Sequence, residues 1–419
     1  MKESDVQSLL CSIREKLDLL EREYQLETEE FSEERIIEEI EEGRKLDEIV
    51  QDELTFFLPR CEEIDAGIKI SDIDELIKEL GTAELFEFTE CISDKRCIVP
   101  IQPIHSESMA EFYAAMRHIE NHPDGAFKVS YNENGTNYHC RVISGFIIFG
   151  VMVAVSGNYD KYLPPISHDD IFIEITSDNG RLGLDKARQI YHSYIFELSS
   201  SMSLDFSVSP RPQITDEDEE LYEERLLIEK FRPLISGKGL SEPLELYAKA
   251  IESPSYDISI LYFTKVLEFI SQTVIRIQLT DKVRAKLLSS RALDPSADFI
   301  KELENVFELN KIFKKERDAI KITIATCCDA SELNHYIPGH FKKIWYSSFQ
   351  KDNYDKALED LAHCMISTRN CIAHAKANYS PTGIETPEAE YDALSKCMKM
   401  CSQQAIRWYA SRHESQRIF

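Results

Sequence analysis

The sequence predicts a multidomain α+β protein: an acidic helical N-terminal region, a central α+β domain and a C-terminal all-α helical bundle. Three observations carry that expectation. Apolar residues recur at alternating steps of three and four near both ends of the chain, as on one side of an α-helix. They are Val6, Leu10, Ile13, Leu17, Leu20 and Tyr24, then Leu358, Leu361, Met365, Thr368 and Ile372. Between them, Asn134-Gly135 joins two runs rich in β-branched and aromatic residues, a hairpin signal because both turn residues tolerate positive φ. Finally, SVSPRPQITDEDEE at 207–220 and SGKG at 236–239 mark a boundary and a flexible joint. For 419 residues two or three domains are expected. The divisions fall at 1–95 (acidic helical), 96–210 (α+β, a possible sensor), 211–239 (linker helix and joint) and 240–419 (helical).

Taken in order, the amphipathic helix over 6–24 is too short for a coiled coil and is expected to pack on its own domain. ETEEFSEERIIEEIEEG keeps Phe31, Ile36, Ile37 and Ile40 in register, so it reads as a charged helix with an apolar seam. A further helix is expected over Ser71–Phe88, with Ser71 as N-cap and acidic residues in its first turn. The pattern then changes. Cys97–Ile104 is an extended apolar run with two prolines, Ser108–Glu120 a helix, and Ala126–Tyr131 and Thr136–Ile143 the hairpin strands. Phe146–Val155 reads as a buried strand from its β-branched and aromatic content. Ile171–Thr176 and Leu204–Val208 are strands, Leu184–Leu198 a helix, and Asp218–Phe231 a connecting helix. Beyond the joint all is helical: Pro243–Ile251, Ile258–Ile277, Lys282–Leu288, Ala297–Leu309, Lys311–Ile324, Phe341–Ser348, Asp355–Ala377 and Pro387–Ser411. The last has Thr386 placed as N-cap and Pro387 at the first helical position.

Composition bounds the function. Residues 1–90 hold 29 acidic and 10 basic side chains, a net of −19, while 236–419 hold 24 and 25, a net of +1. A field of that sign repels nucleic acid, so any RNA contact belongs to the near-neutral C-terminal part. There KIFKKERDAIK at 311–321 is a basic cluster. The eleven cysteines read as reduced thiols, mostly in cores. No CxxC pair occurs, Cys397 and Cys401 have no second pair beside them, and HIENH at 118–122 misplaces the glutamate of a HExxH site. No metal site and no cofactor is therefore expected. The α+β domain carries no Gly-rich phosphate loop and no GxSxG. Its longest apolar run, 146–155, is about half a membrane span. The start MKESDVQSLL has no secretory or transit character. A cytoplasmic protein without a membrane partner is the expectation.

The chemistry-bearing stretch is DKALEDLAHCMISTRNCIAHAKA at 355–377. Arg369, Asn370 and His374 stand near its C-terminal end, off the apolar stripe. An arginine holds a phosphate by two parallel N–H bonds, and a histidine exchanges protons near neutral pH. About a hundred residues earlier, Leu261–Ser271 carries Glu268 in an aliphatic and aromatic setting.

Together these residues resemble the HEPN superfamily, all-helical modules many of which are ribonucleases. Its motif is Arg, a polar residue, then His after four to six positions, and Arg369, Asn370 and His374 match it. Leu261–Ser271 is similar to the family's early helix with an aliphatic-Glu-aromatic turn. The resemblance covers 240–419 and implies metal-independent RNA cleavage leaving a 2′,3′-cyclic phosphate and a 5′-OH. His374 would handle the proton, Arg369 the phosphoryl charge, and Asn370 would fix the histidine or hold an oxygen. Lys376 and, from the basic cluster, Lys311, Lys314 and Lys315 would contact substrate. Five residues at about 100° each set Arg369 and His374 some 140° apart on a straight helix, which a homodimer through the C-terminal domain would relieve. Many such enzymes are regulated toxins of prokaryotic defence or toxin–antitoxin systems, a habit that a regulatory domain ahead of the helical one fits by analogy. The charge and apolar seams of the acidic region give it a protein-docking role, or an autoinhibitory one over the basic surface at 311–321. The alternative is a catalytically silent HEPN-like module that binds nucleotide or serves as a protein scaffold.

Overall fold

The computed structural model describes the chain apart from residues 1–2, 29–30, 59–60, 88, 105–108, 145–146, 157–165, 167–169, 210–228, 313–315, 350–352 and 375–382. It divides into two compact units: Met1–Tyr194 with Ser201–Leu234, and Ile195–Ser200 with Ile235–Phe419.

The first unit is α+β. Helices α1 (Glu3–Tyr24), α2 (Glu33–Glu41) and α3 (Leu46–Ile49) are interleaved with a small antiparallel sheet of β1 (Glu27–Thr28), β2 (Glu53–Leu58) and β3 (Cys61–Lys69). Next come α4 (Ile73–Leu80), β4 (Glu84–Phe86), β5 (Glu90–Ile92), β6 (Arg96–Pro103) and α5 (Met109–Glu120). Then follow β7 (Ala126–Glu133), β8 (Thr136–Ser144), α6 (Ile147–Ser156), β9 (Ile171–Ser177), α7 (Leu184–Met202) and β10 (Phe206–Val208). The large sheet has the order β4-β5-β6-β9-β8-β7, with β10 on β6. Along one edge β6 pairs with β9; along the other it pairs with β5 at residues 97–98 and with β10 at 101–103. Pro100, which has no N–H to give, falls where one partner hands over to the other.

Residues 97–101 are buried without a break because both faces of the sheet are covered. Ile98, Ile143 and Phe172 point to one side, into a core with Ile13, Leu17 and Leu20 of α1, Leu76 of α4 and Phe149 of α6. On the other side stands α7, whose Tyr191 and Tyr194 approach Cys97 and Cys140; the Tyr194 hydroxyl donates to the Phe127 carbonyl at 2.6 Å. A charged chain crosses the strands: Arg96 grips Glu79 with two nitrogens at 2.6 and 2.9 Å and Glu174 with a third at 2.7 Å, and Arg141 completes it on Glu174. Burial pushes the Glu174 carboxyl up, but the hydrogen bonds and charges of Arg141 and Arg96 outweigh it and hold the pKa below the ordinary value.

Several expectations change here. The acidic region at 1–95 is not a separate helical domain. It contributes β1–β5, and its seam residues Ile13, Leu17 and Leu20 are consumed in the core they share with the sheet. The helix expected over 71–88 stops at Leu80 and gives way to β4; Asp72, not Ser71, is the N-cap residue, and the Ser71 hydroxyl donates to Asp72 instead. The buried strand expected at 146–155 is helix α6 from 147 onward, residue 146 lying outside the described residues. Every face of that segment is apolar, so its period decides nothing. The hairpin over Asn134 and Gly135 forms with φ of 52° and 83°. The division between units falls at 234/235; the helix expected from Asp218 lies outside the described residues up to 228, and 229–231 is not helical.

The second unit is helical: α8 (Ser241–Glu252), α9 (Tyr256–Leu287), α10 (Ala297–Ile312), α11 (Glu316–Cys327), α12 (Ala330–Leu333), α13 (Lys342–Phe349), α14 (Tyr354–His374) and α15 (Tyr391–Ala410). One core runs through it, built from Leu244, Phe263, Leu267, Ile324, Trp345, Leu361, Met365, Met398 and Ile406 among others. Ile195–Ser200 belongs here: Phe196 enters this core, and Glu197 and Ser200 accept from Arg407 at 2.8 and 2.6 Å. The helices expected at 258–277 and 282–288 are one continuous α9, since no Gly or Pro separates them. It is the one described helix long and apolar enough to cross a membrane, and 56% of its apolar window is buried inside the protein. Pro387 does not open α15; it leads a 3-10 turn at Glu388–Glu390, and the Thr386 N–H donates to Thr368 Oγ1 at 2.8 Å.

Candidate functional site at the end of α14

Helix α14 is positioned by its apolar residues. Leu358, Leu361, Met365 and Thr368 are buried as their spacing requires, and Ile372 packs at the margin of the core. Ala357, Ala362, Cys364 and Ile366 are buried as well, so neighbours cover the helix on more than one side. Its later turns carry the residues of interest. The Arg369 guanidinium donates from Nη2 to Glu268 Oε1 of α9 at 3.0 Å and from Nη1 to Asn370 Oδ1 at 3.0 Å. The side chains of Arg369 and Glu268 are 22% and 31% exposed, so the pair is shielded yet reachable from solvent.

The sequence-expected Arg369, Asn370 and Glu268 are thus brought together. Position 374 closes the same unbroken helix, four residues after Asn370 and on its face; its side chain lies outside the described residues. The continuous helix keeps the rotation of about 140° between positions 369 and 374. Lys376, Lys314 and Lys315 lie outside the described residues, and of Lys311 only the backbone, in α10, is described.

Two arrangements around α14 were not anticipated. His363 stands seven residues before Asn370, on the same face, beside Arg317 and Lys321 of α11. Its pKa is lowered by burial first and then by those two positive charges. This places the described part of the basic cluster against α14, where Lys321 also pairs with Glu359 at 3.6 Å. The helical spacing of Arg317 and Lys321 was the available signal. The second arrangement is a carboxylate–imidazole–thiol row. Glu390 Oε2 lies 3.1 Å from His340 Nδ1 and accepts from the His340 backbone N–H at 2.9 Å, and His340 Nε2 lies 3.7 Å from Cys364 Sγ. Cys364 is fully buried, and burial pushes its thiol up to about 11. A thiol so placed is not a nucleophile, and the row acts as a tie between α14 and the turn before α15. No motif in the sequence marks it.

Among the described residues no group of three His, Cys, Asp or Glu side chains is arranged to hold a metal ion. What the end of α14 offers is a fixed cation with an amide beside it and a histidine position one turn on. No protein family, no curated protein and no solved structure matches the chain.

Proposed function

We propose that the helical unit is a metal-independent endoribonuclease of HEPN type, acting as a regulated cytoplasmic effector of a defence or toxin–antitoxin system. The observation that carries the reading is the convergence of Arg369, Asn370 and Glu268 one turn before His374. The ribose 2′-oxygen attacks the adjacent phosphorus while the bond to the 5′-oxygen breaks. One proton must leave the 2′-OH and one must reach the departing 5′-oxygen, and an imidazole near neutral pH serves either transfer. Charge accumulates on the phosphoryl oxygens, where a guanidinium that stays protonated and presents a planar fork stabilises it. Glu268 and Asn370 hold that fork in one orientation, so little order has to be acquired when RNA arrives. A twofold-related second chain would bring His374 of one protomer toward Arg369 of the other.

The reading is tested by the chemistry of the ends. Purified protein incubated with tRNA and mRNA in EDTA should yield 2′,3′-cyclic phosphate and 5′-OH termini, and 3′-OH termini would refute it. A second reading, a catalytically silent nucleotide-binding or scaffold module, draws on the same ion pair. An arginine engaged with Glu268 is sufficient to tie α9 to α14 without any reaction. Nucleotide binding without RNA cleavage would favour it.

A further inference from the structure

Six cysteines lie on or beside three packed helices of the second unit: Cys327 ends α11 and Cys328 follows it, Cys364 and Cys371 are on α14, and Cys397 and Cys401 are on α15. All six are free thiols. Cys328 is half-buried and reachable from solvent, whereas Cys401 is fully buried. The Cys328 thiol donates to the Cys401 carbonyl at 3.8 Å, and the Cys401 thiol interacts with those of Cys328 and Cys397.

The backbone around Cys328 is pinned to α15 in this register. The Asp329 N–H donates to Gln404 Oε1 at 2.7 Å, and Gln404 Nε2 donates to Glu332 at 2.6 Å. Ala330 and Leu333 are buried beneath.

Geometry excludes two of the pairings. Cys397 and Cys401 are four apart on one helix, which holds their Cβ atoms about 5–6 Å apart, beyond disulfide reach. Cys327 and Cys328 are adjacent, and a Cα separation of about 3.8 Å is shorter than disulfides take. Cys328 and Cys401 lie on different elements, meet neither obstacle, and are in contact through the Cys328 sulfur and the Cys401 carbonyl at 3.8 Å.

We propose that Cys328 and Cys401 form an oxidant-dependent disulfide, with a hydroperoxide as the oxidant and Cys328 as the entry thiol. The Cys328 sulfur attacks a peroxide oxygen; an S–O bond forms, the O–O bond breaks, and the alcohol or water leaves, giving a sulfenic acid. The Cys401 sulfur then displaces that oxygen, its own proton going to the leaving hydroxide as water. Two thiols are oxidised and one peroxide is reduced. Burial shields Cys401 from free peroxide, so it meets only a neighbouring sulfur. The product would lock the end of α11 to α15. The inference is independent of the nuclease reading.

The test uses the full chain, reduced, freed of reductant and treated with a few equivalents of hydrogen peroxide, then alkylated and digested without reduction. The expected result is a cross-linked peptide joining Cys328 to Cys401 as the predominant product. In Cys401→Ala, Cys328 should instead stop at the sulfenic acid and take up dimedone, which the wild type does not. A cross-link between another pair, an unreacted Cys328, or equal dimedone uptake by wild type and variant would each overturn the proposal. If the variant does not fold, the wild-type peptide map decides alone.

Discussion

Replacing Arg369 and Glu268 by alanine, singly and together, measures how firmly the candidate site is built. Arg369 lies off the apolar stripe, so the helical pattern alone predicts a cost below about 1 kcal/mol for its loss. The structure raises that figure. The two charges stand 3.0 Å apart with side chains 22% and 31% exposed, and at an effective dielectric near 20 their bare attraction is about 5.5 kcal/mol. Partial desolvation and side-chain ordering take back much of this. Exposed pairs retain roughly 0.2–1 kcal/mol, while breaking fully buried ones costs about 3–5 kcal/mol. A pair two-thirds shielded should therefore show a coupling of about 1–2 kcal/mol in the double-mutant cycle. Both tryptophans of the chain, Trp345 and Trp408, lie in the helical unit, and Trp345 is fully buried. Urea unfolding followed by tryptophan fluorescence thus reads this unit alone. Additivity within about 0.3 kcal/mol would mean that the two side chains do not interact, and the pre-set guanidinium would have to be abandoned.

Other consequences follow from the two cores. Arg96→Met leaves Glu79 and Glu174, 4% and 3% exposed, without their shared cation, and should cost about 3–5 kcal/mol; loss of hydrogen-exchange protection in β6 and β9 checks it. Because the folded pKa of Glu174 is depressed, its contribution is fully present above the unfolded value near 4 and is lost as pH falls through the folded one. The α+β unit should accordingly lose stability in acid, and Glu174→Gln should flatten that dependence in pH-resolved circular dichroism. Gly239→Ala places a Cβ 2.7 Å from the Tyr409 hydroxyl at a φ of +80°, so it should cost at least about 1 kcal/mol by tryptophan-monitored unfolding. Deleting residues 1–90 strips Ile13, Leu17, Leu20 and Phe56 from the core around Phe172 and should give an aggregating protein; a monodisperse, folded truncation by light scattering and circular dichroism would refute the shared core.

How much of this was legible depended on whether local chemistry left one answer. Asn134-Gly135 demands positive φ, and the stripe from Leu358 to Thr368 has one helical face, so both were readable. The segment 146–155 was not. Its residues are apolar all round, and Gly150 sits where a Cβ would meet Ile166 at 2.8 Å, a closeness set by tertiary packing. The strands β2 to β5 were hidden by acidic side chains on short segments, where two or three alternations cannot outweigh a charged, helix-like composition. At the site, Arg369, Asn370 and Glu268 were legible through a family-like pattern. The ties from His340 to Glu390 and from His363 to Arg317 were not, because their partners lie about fifty residues apart and no local spacing links them.

The central claim is tested most directly by single-turnover cleavage of a 5′-labelled RNA in EDTA, with wild type, Arg369→Ala and His374→Ala compared at matched folded concentration. The nuclease reading predicts cleavage by the wild type and a loss of at least about a hundredfold in each variant, the least expected for removing a proton-transfer group or a charge-stabilising donor. Equal rates in all three proteins would contradict it.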